Sequence, residues 1–132
     1  MKIAGIALAL LLPAGSVLAQ SAAPAPRQLM LQELPQMPGK NVEVYLIERG
    51  PQQGNEPHQH PTAAVFGYVL EGEYEFQVRG GPIKRFKAGE MFYEAPGDVH
   101  QVSYNPSKTQ PVKLLVFFVK DKDAPRTVPA KP

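Results

Sequence analysis

With 132 residues, no cysteine and a net charge of +2 from 14 basic and 12 acidic side chains, this chain is short enough for a single domain and has no disulfide to brace it. No long run of like charge marks a face for nucleic acid or an anionic membrane; without disulfides, the fold must rest on an apolar core and on any bound metal.

Residues 1–19 read as a signal peptide. Lys2 precedes an apolar run over residues 3–12, and Val17-Leu18-Ala19 ends in a small residue suited to cleavage. The run is too short to span a bilayer, so the mature protein is expected to begin at Gln20, in the periplasm or secreted, with no membrane association after cleavage. Residues 20–27 form an Ala/Pro tether, and residues 28–34 an extended lead-in ended by Pro35 and Pro38-Gly39. Residues 41–48 alternate Val42, Val44 and Leu46 against Glu43, Tyr45 and Ile47, which predicts a strand. Residues 50–57 are a loop by composition and deliver the chain to His58. Residues 64–70 and 73–78, separated by Glu71-Gly72, read as a hairpin whose return strand sets Glu73, Glu75 and Gln77 against Tyr74, Phe76 and Val78. Residues 83–86, 91–94 and 99–104 are three further short strands between Gly or Pro turns. Residues 112–119, the most apolar run after the leader, predict a central strand. Residues 121–132, with Pro125, Pro129 and Pro132, are expected to be a disordered tail. Short strands separated by turns, with no amphipathic helical period, exclude a bundle or a βαβ fold and point to an all-β sandwich or barrel over residues 28–120.

The three histidines fall in two clusters. His58-Gln59-His60 places two imidazoles on one face of an extended segment. His100 closes a second stretch that runs from Gly89 through Glu94 and Gly97. A third imidazole from a neighbouring strand would complete one face of a coordination sphere and leave positions open for water or substrate.

Both stretches resemble the paired motifs of the cupin superfamily, Gly-x5-His-x-His-x3–4-Glu-x6-Gly and Gly-x5-Pro-x-Gly-x2-His-x3-Asn. His58, His60 and Gly72 match the first; Gly89, Gly97 and His100 match the second. The resemblance covers residues 29–120. It implies a single-domain double-stranded β-helix (a jelly-roll barrel), a homodimer, and a divalent metal ion held by His58, His60 and His100. Imidazole donors leave Fe, Mn, Ni, Cu and Zn all open. The chain departs from the pattern at its opening glycine (displaced to Gly54), at Ala95 in place of proline, at Asn105, which arrives one place late, and most of all at Val65, where the motif carries a metal-binding glutamate.

With Val65 there, three neutral imidazoles leave a divalent ion at its full charge, which favours an anionic, chelating ligand. Glu94 is a candidate fourth ligand, since it could face His100 across a strand pair; the alternative is a carboxylate at a strand end, solvated or salt-paired. If position 65 points inward, so do Gly67 and Val69, with Gly67 either leaving room beside the metal or marking a bulge. Gln77, Tyr93 and Gln101 are further candidate contacts in the pocket. The leading functional expectation is a metal-dependent protein acting on a small organic molecule, as a dioxygenase or an isomerase. The alternatives are a non-catalytic module for a metal or small ligand, and a structural dimer with vestigial histidines.

Overall fold

The computed structural model describes residues 22–132. The expected leader, the cleavage site and the start of the tether lie outside them. Eleven strands follow in order: β1 Arg27–Glu33, β2 Lys40–Arg49, β3 Gly54–Asn55, β4 His58–Gln59, β5 Ala64–Glu71, β6 Glu73–Val78, β7 Lys84–Lys87, β8 Met91–Glu94, β9 Val99–Tyr104, β10 Val112–Asp121 and β11 Val128–Pro129. No helix interrupts them among the described residues. One sheet has the order β1-β2-β10-β5-β8; the other has β11-β4-β9-β6-β7, with β3 also on β9. The result is the all-β double-stranded β-helix that the motifs implied.

The run over residues 112–119 becomes the central strand β10, paired with β2 from Val112 opposite Arg49 to Asp121 opposite Lys40, and with β5 on its other edge. Its side chains alternate strictly, with Val112, Leu114, Val116 and Phe118 buried. They meet Val65 and Val69 of β5, Tyr74 and Phe76 of β6, and Phe92 of β8 in one core. Burying a side chain of this kind contributes about 1.5–3 kcal/mol. In a chain without disulfides this core carries the stability.

Two expectations are corrected. β5 and β6 are not a hairpin: β5 pairs with β10 and β8, and β6 with β7 and β9. Gly72 turns the chain from one sheet to the other at φ 80°, where a Cβ would lie 2.5 Å from Pro111 O. Each strand buries one face, and facing sheets let both do so; the local Glu-Gly turn suits either arrangement. Nor are residues 121–132 a disordered tail. β11 adds to β4, Ala130 N–H donates to Pro57 O at 3.1 Å, and Arg79 Nη1 donates to Lys131 O at 2.9 Å. Pro129 lies on β11, an edge strand, where proline is tolerated.

Candidate metal centre

Strand register brings the histidines together. His58 of β4 lies directly opposite His100 of β9, and His60 follows two residues on, so all three face the interior. One ring nitrogen from each lies within 4.8 Å of those offered by the other two. Ring centroids are 5.0 Å apart for His58 and His60 and 4.9 Å for His58 and His100. His60 and His100 are buried, and His58 is half-buried at the rim.

Backbone carbonyls set the tautomers. His58 Nδ1 is 2.8 Å from Glu56 O, and His60 Nδ1 is 2.6 Å from Arg126 O. A carbonyl can only accept, so each Nδ1 carries the proton and each Nε2 keeps its lone pair, as a metal ligand requires. Burial lowers the pKa of both rings; backbone hydrogen bonds oppose it, and the neighbouring imidazoles push the same way as burial. Both favour the neutral, ligating form.

A carboxylate from another strand stands opposite position 65. Val65 and Glu94 are direct partners across the β5–β8 pair. Both side chains point inward, 1% and 2% exposed. Directly opposed residues have Cβ atoms roughly 5 Å apart, so a glutamate at 94 reaches the region that a longer side chain at 65 would occupy. Glu94 Oε1 is 3.2 Å from His100 Nδ1 and 3.9 Å from His60 Nε2. Its Oε2 is buried with no hydrogen-bond partner in the protein. A buried carboxylate oxygen is costly without a proton donor or a cation. Three imidazoles and an acceptor in that condition fit a divalent metal ion.

The centre opens into a cavity of about 450 Å³ walled by Val65, Leu114, Val116 and Phe118. Of the other residues singled out from the sequence, Val69 is inward but belongs to the solid core rather than the cavity wall. Gly67 leaves no room beside the histidines, because the Phe92 ring fills the space: a Cβ there would lie 1.9 Å from Phe92 Cζ. Gln77, Tyr93 and Gln101 do not contact the cavity. Tyr93 and Gln77 have the outward parity of their strands; Tyr93 is 52% exposed, stacked near Phe66, and Gln77 donates to Gly81 O. Gln101 is the extra residue of a bulge, since Val78 faces His100 while Gln77 faces Val102, and its Oε1 accepts from Arg79 on the exterior. That bulge lets His100 and Ser103, three apart, both point inward.

Several groups at the centre had no sequence motif. The Tyr74 hydroxyl lies 3.3 Å from His100 Nε2 and 2.7 Å from Ser103 Oγ. Burial raises its pKa beyond any ordinary phenol, with the Ser103 hydrogen bond only partly opposing, so it stays protonated. Its only signal was its place on the dry face of β6. Arg126 and Thr127 arrive from the C-terminal segment, with Thr127 Oγ1 3.3 Å from His60 Nδ1. Arg49 and Asn55 line the cavity from the end of β2 and from β3. No membrane-spanning helix occurs among the described residues.

A cupin-domain family model matches residues 45–118. Oryzines biosynthesis cluster protein J of Aspergillus oryzae is 37% identical over 70 residues, 52% of this chain and 38% of that protein. Among solved structures, the DMSP lyase DddQ from Ruegeria pomeroyi matches with a TM-score of 0.59 at 25% identity, over 69% of this chain and 44% of its own. An oxalate oxidase matches with a TM-score of 0.59 at 26% identity, over 67% of this chain and 46% of its own. This chain therefore spans less than half the length of each of these relatives. A double-stranded β-helix protein from Klebsiella pneumoniae shares the fold over 86% of this chain and 90% of its own, with a TM-score of 0.62 at 23% identity.

Proposed function

The chain belongs to the cupin family, and from that premise we propose that it is a metal-dependent protein acting on a small, anionic organic molecule. The observation that carries this reading is the convergence of His58, His60 and His100 on one point, with the carboxylate of Glu94 supplied from the strand opposite Val65. His58, His60 and His100 would hold the metal, with Glu94 as a fourth ligand or as the anion that orients His100. A divalent ion bound there supplies Lewis acidity and open positions for substrate. Val65, Leu114 and Val116 give the cavity an aliphatic wall against which the apolar part of a small ligand would pack. Tyr74 holds a proton at Oη beside His100 and can donate it to negative charge developing nearby. Structural neighbours named for small organic substrates, an oxalate oxidase and a DMSP lyase, support oxygen-dependent or lyase-like chemistry over any macromolecular target.

A non-catalytic binding module is the second reading. It is favoured by the shortage of free acid or base: apart from Glu94, the described carboxylate lining the cavity is Glu56, exposed at its rim. Two further parts of the proposal rest on sequence and surface. Export is inferred from residues 1–19, and mass spectrometry of the mature protein should find Gln20 first. Homodimerisation is inferred from Leu29, Met30 and Leu31 on the edge strand β1 and from Phe66, Met91 and Tyr93, all exposed; light scattering at micromolar concentration tests it.

Elemental analysis of the purified protein, with calorimetric titration of His58→Ala, His60→Ala and His100→Ala, tests the metal centre. Each change removes one of three donors, so each should weaken binding, His100→Ala as much as His58→Ala. Unchanged affinity in all three variants overturns the reading. Oxygen uptake with catechols, diketones and thiols then separates enzyme from binding module.

A further inference from the structure

Arg49 ends β2 with its side chain turned into the cavity that holds the histidines, and it is only 7% exposed. Its Nη1 donates to Glu48 O at 2.9 Å and its Nη2 to Asn55 Oδ1 at 3.0 Å. A guanidinium carries five N–H groups, so most of this fork has no protein acceptor among the described residues. Among the described residues no carboxylate forms an ion pair with it either: neighbouring Glu48 is paired with Lys113. The other guanidinium at the cavity, Arg126, is occupied, stacked 4.0 Å over the Tyr45 ring and facing Glu43. A buried cation without a counter-ion is expensive. Burial pulls the Arg49 pKa below the usual guanidinium value, yet an arginine remains charged.

The site of this cation is fixed relative to the histidines. Asn55 pairs in register with Ser103 of β9, and one hydroxyl, that of Tyr74, reaches both Ser103 Oγ and His100 Nε2. The backbone of Arg49 is held in turn by buried Asn105, whose Nδ2 donates to Arg49 O and Gly50 O. The two bonds that Arg49 donates, one of them to Asn55 of β3, leave the rest of the fork on a buried guanidinium that lines the cavity. Such a fork matches the two oxygens of a carboxylate.

We propose that Arg49 receives a carboxylate of the ligand, so that the cavity selects a small organic acid with two anionic ends: a chelating group at the histidine centre and a second carboxylate on Arg49. The proposal rests on the metal-centre reading above and names the substrate class for it. Arg49 is then a specificity-determining residue, and the ligand supplies the counter-ion that the protein does not.

The test uses the Zn²⁺-loaded protein and three α-hydroxy acids with the same chelating end. Lactate has no second carboxylate, malate has one, and 2-hydroxyglutarate carries it one carbon farther out. By calorimetry the wild type should bind malate or 2-hydroxyglutarate at least about ten-fold more tightly than lactate, the scale of one charge-assisted hydrogen bond. Arg49→Met should lose that preference, binding malate and 2-hydroxyglutarate no more tightly than it binds lactate. Arg49→Lys keeps the charge but not the fork, so it should retain only part of the preference, and it carries the test if the methionine variant does not fold. Failure of the wild type to bind Zn²⁺ overturns the metal-centre reading and this proposal with it. Zn²⁺ binding with no wild-type preference for the second carboxylate, or with a preference that survives Arg49→Met or is undiminished in Arg49→Lys, overturns the role of Arg49 alone.

Discussion

Replacing Glu94 by glutamine keeps the shape of the side chain and removes its charge, which separates two effects of opposite sign. The Glu94 carboxylate lies against the centre, with Oε1 3.2 Å from His100 Nδ1 and 3.9 Å from His60 Nε2. A charge held near a metal ligand is worth about 10- to 100-fold in metal affinity when it acts through that ligand. At about 4 Å and an effective dielectric constant of about 20, unit charges interact by about 4 kcal/mol, so direct ligation of a divalent ion would cost more than 100-fold on removal. In the metal-free protein the sign reverses. Glu94 is 2% exposed and its Oε2 has no partner, so removing the charge relieves a desolvation penalty of about 1 kcal/mol or more. That corresponds to a melting temperature higher by about 4–8 °C per kcal/mol in a domain of this size. Calorimetric metal titration and thermal melts in chelator read both effects on one sample. A fall of about 10- to 100-fold in affinity places Glu94 behind His100, and a larger fall places it on the metal. Unchanged metal affinity, or a metal-free variant that melts several degrees below wild type, would refute the reasoning.

Three other changes follow from particular contacts. Gly67→Ala should lower stability by about 1–3 kcal/mol, because the new methyl overlaps the buried Phe92 ring; denaturant unfolding measures it, and Phe92→Leu in the same chain should recover part of the loss. Asn105→Ala should cost about 2–4 kcal/mol, since its buried amide donates to the carbonyls of Arg49, Gly50 and Gln110 while Oδ1 accepts from Ser107 N–H; equilibrium unfolding that matches wild type would contradict this. Ending the chain at Asp123 removes Arg126 O from His60 Nδ1, so metal affinity should fall by about 10- to 100-fold, whereas a dispensable tail would leave the titration curve unchanged.

Much of the fold is local and legible in the sequence. β6, β8 and β9 run over the residues that alternation marked, and the apolar run over residues 112–119 lies inside the central strand β10. Two-residue periodicity is a property of extended backbone itself, so it survives whatever the strand packs against. The same periodicity put His58 and His60 on one face, and the glycine and histidine spacing carried the family resemblance. What alternation could not assign was which face looks inward. On β2 the more apolar set is Val42, Val44 and Leu46, but the cavity is lined by Tyr45, Ile47 and Arg49. Nor could it foresee the bulge at Gln101, which resets parity between His100 and Ser103. Tertiary structure alone decided the partners: Glu94 opposite Val65, the C-terminal carbonyl on His60, and an arginine from the end of β2 in the cavity wall. These are contacts across strand pairs and between sheets, joining residues dozens of positions apart. Their geometry is set by register and sheet order, and a local pattern along one strand contains neither.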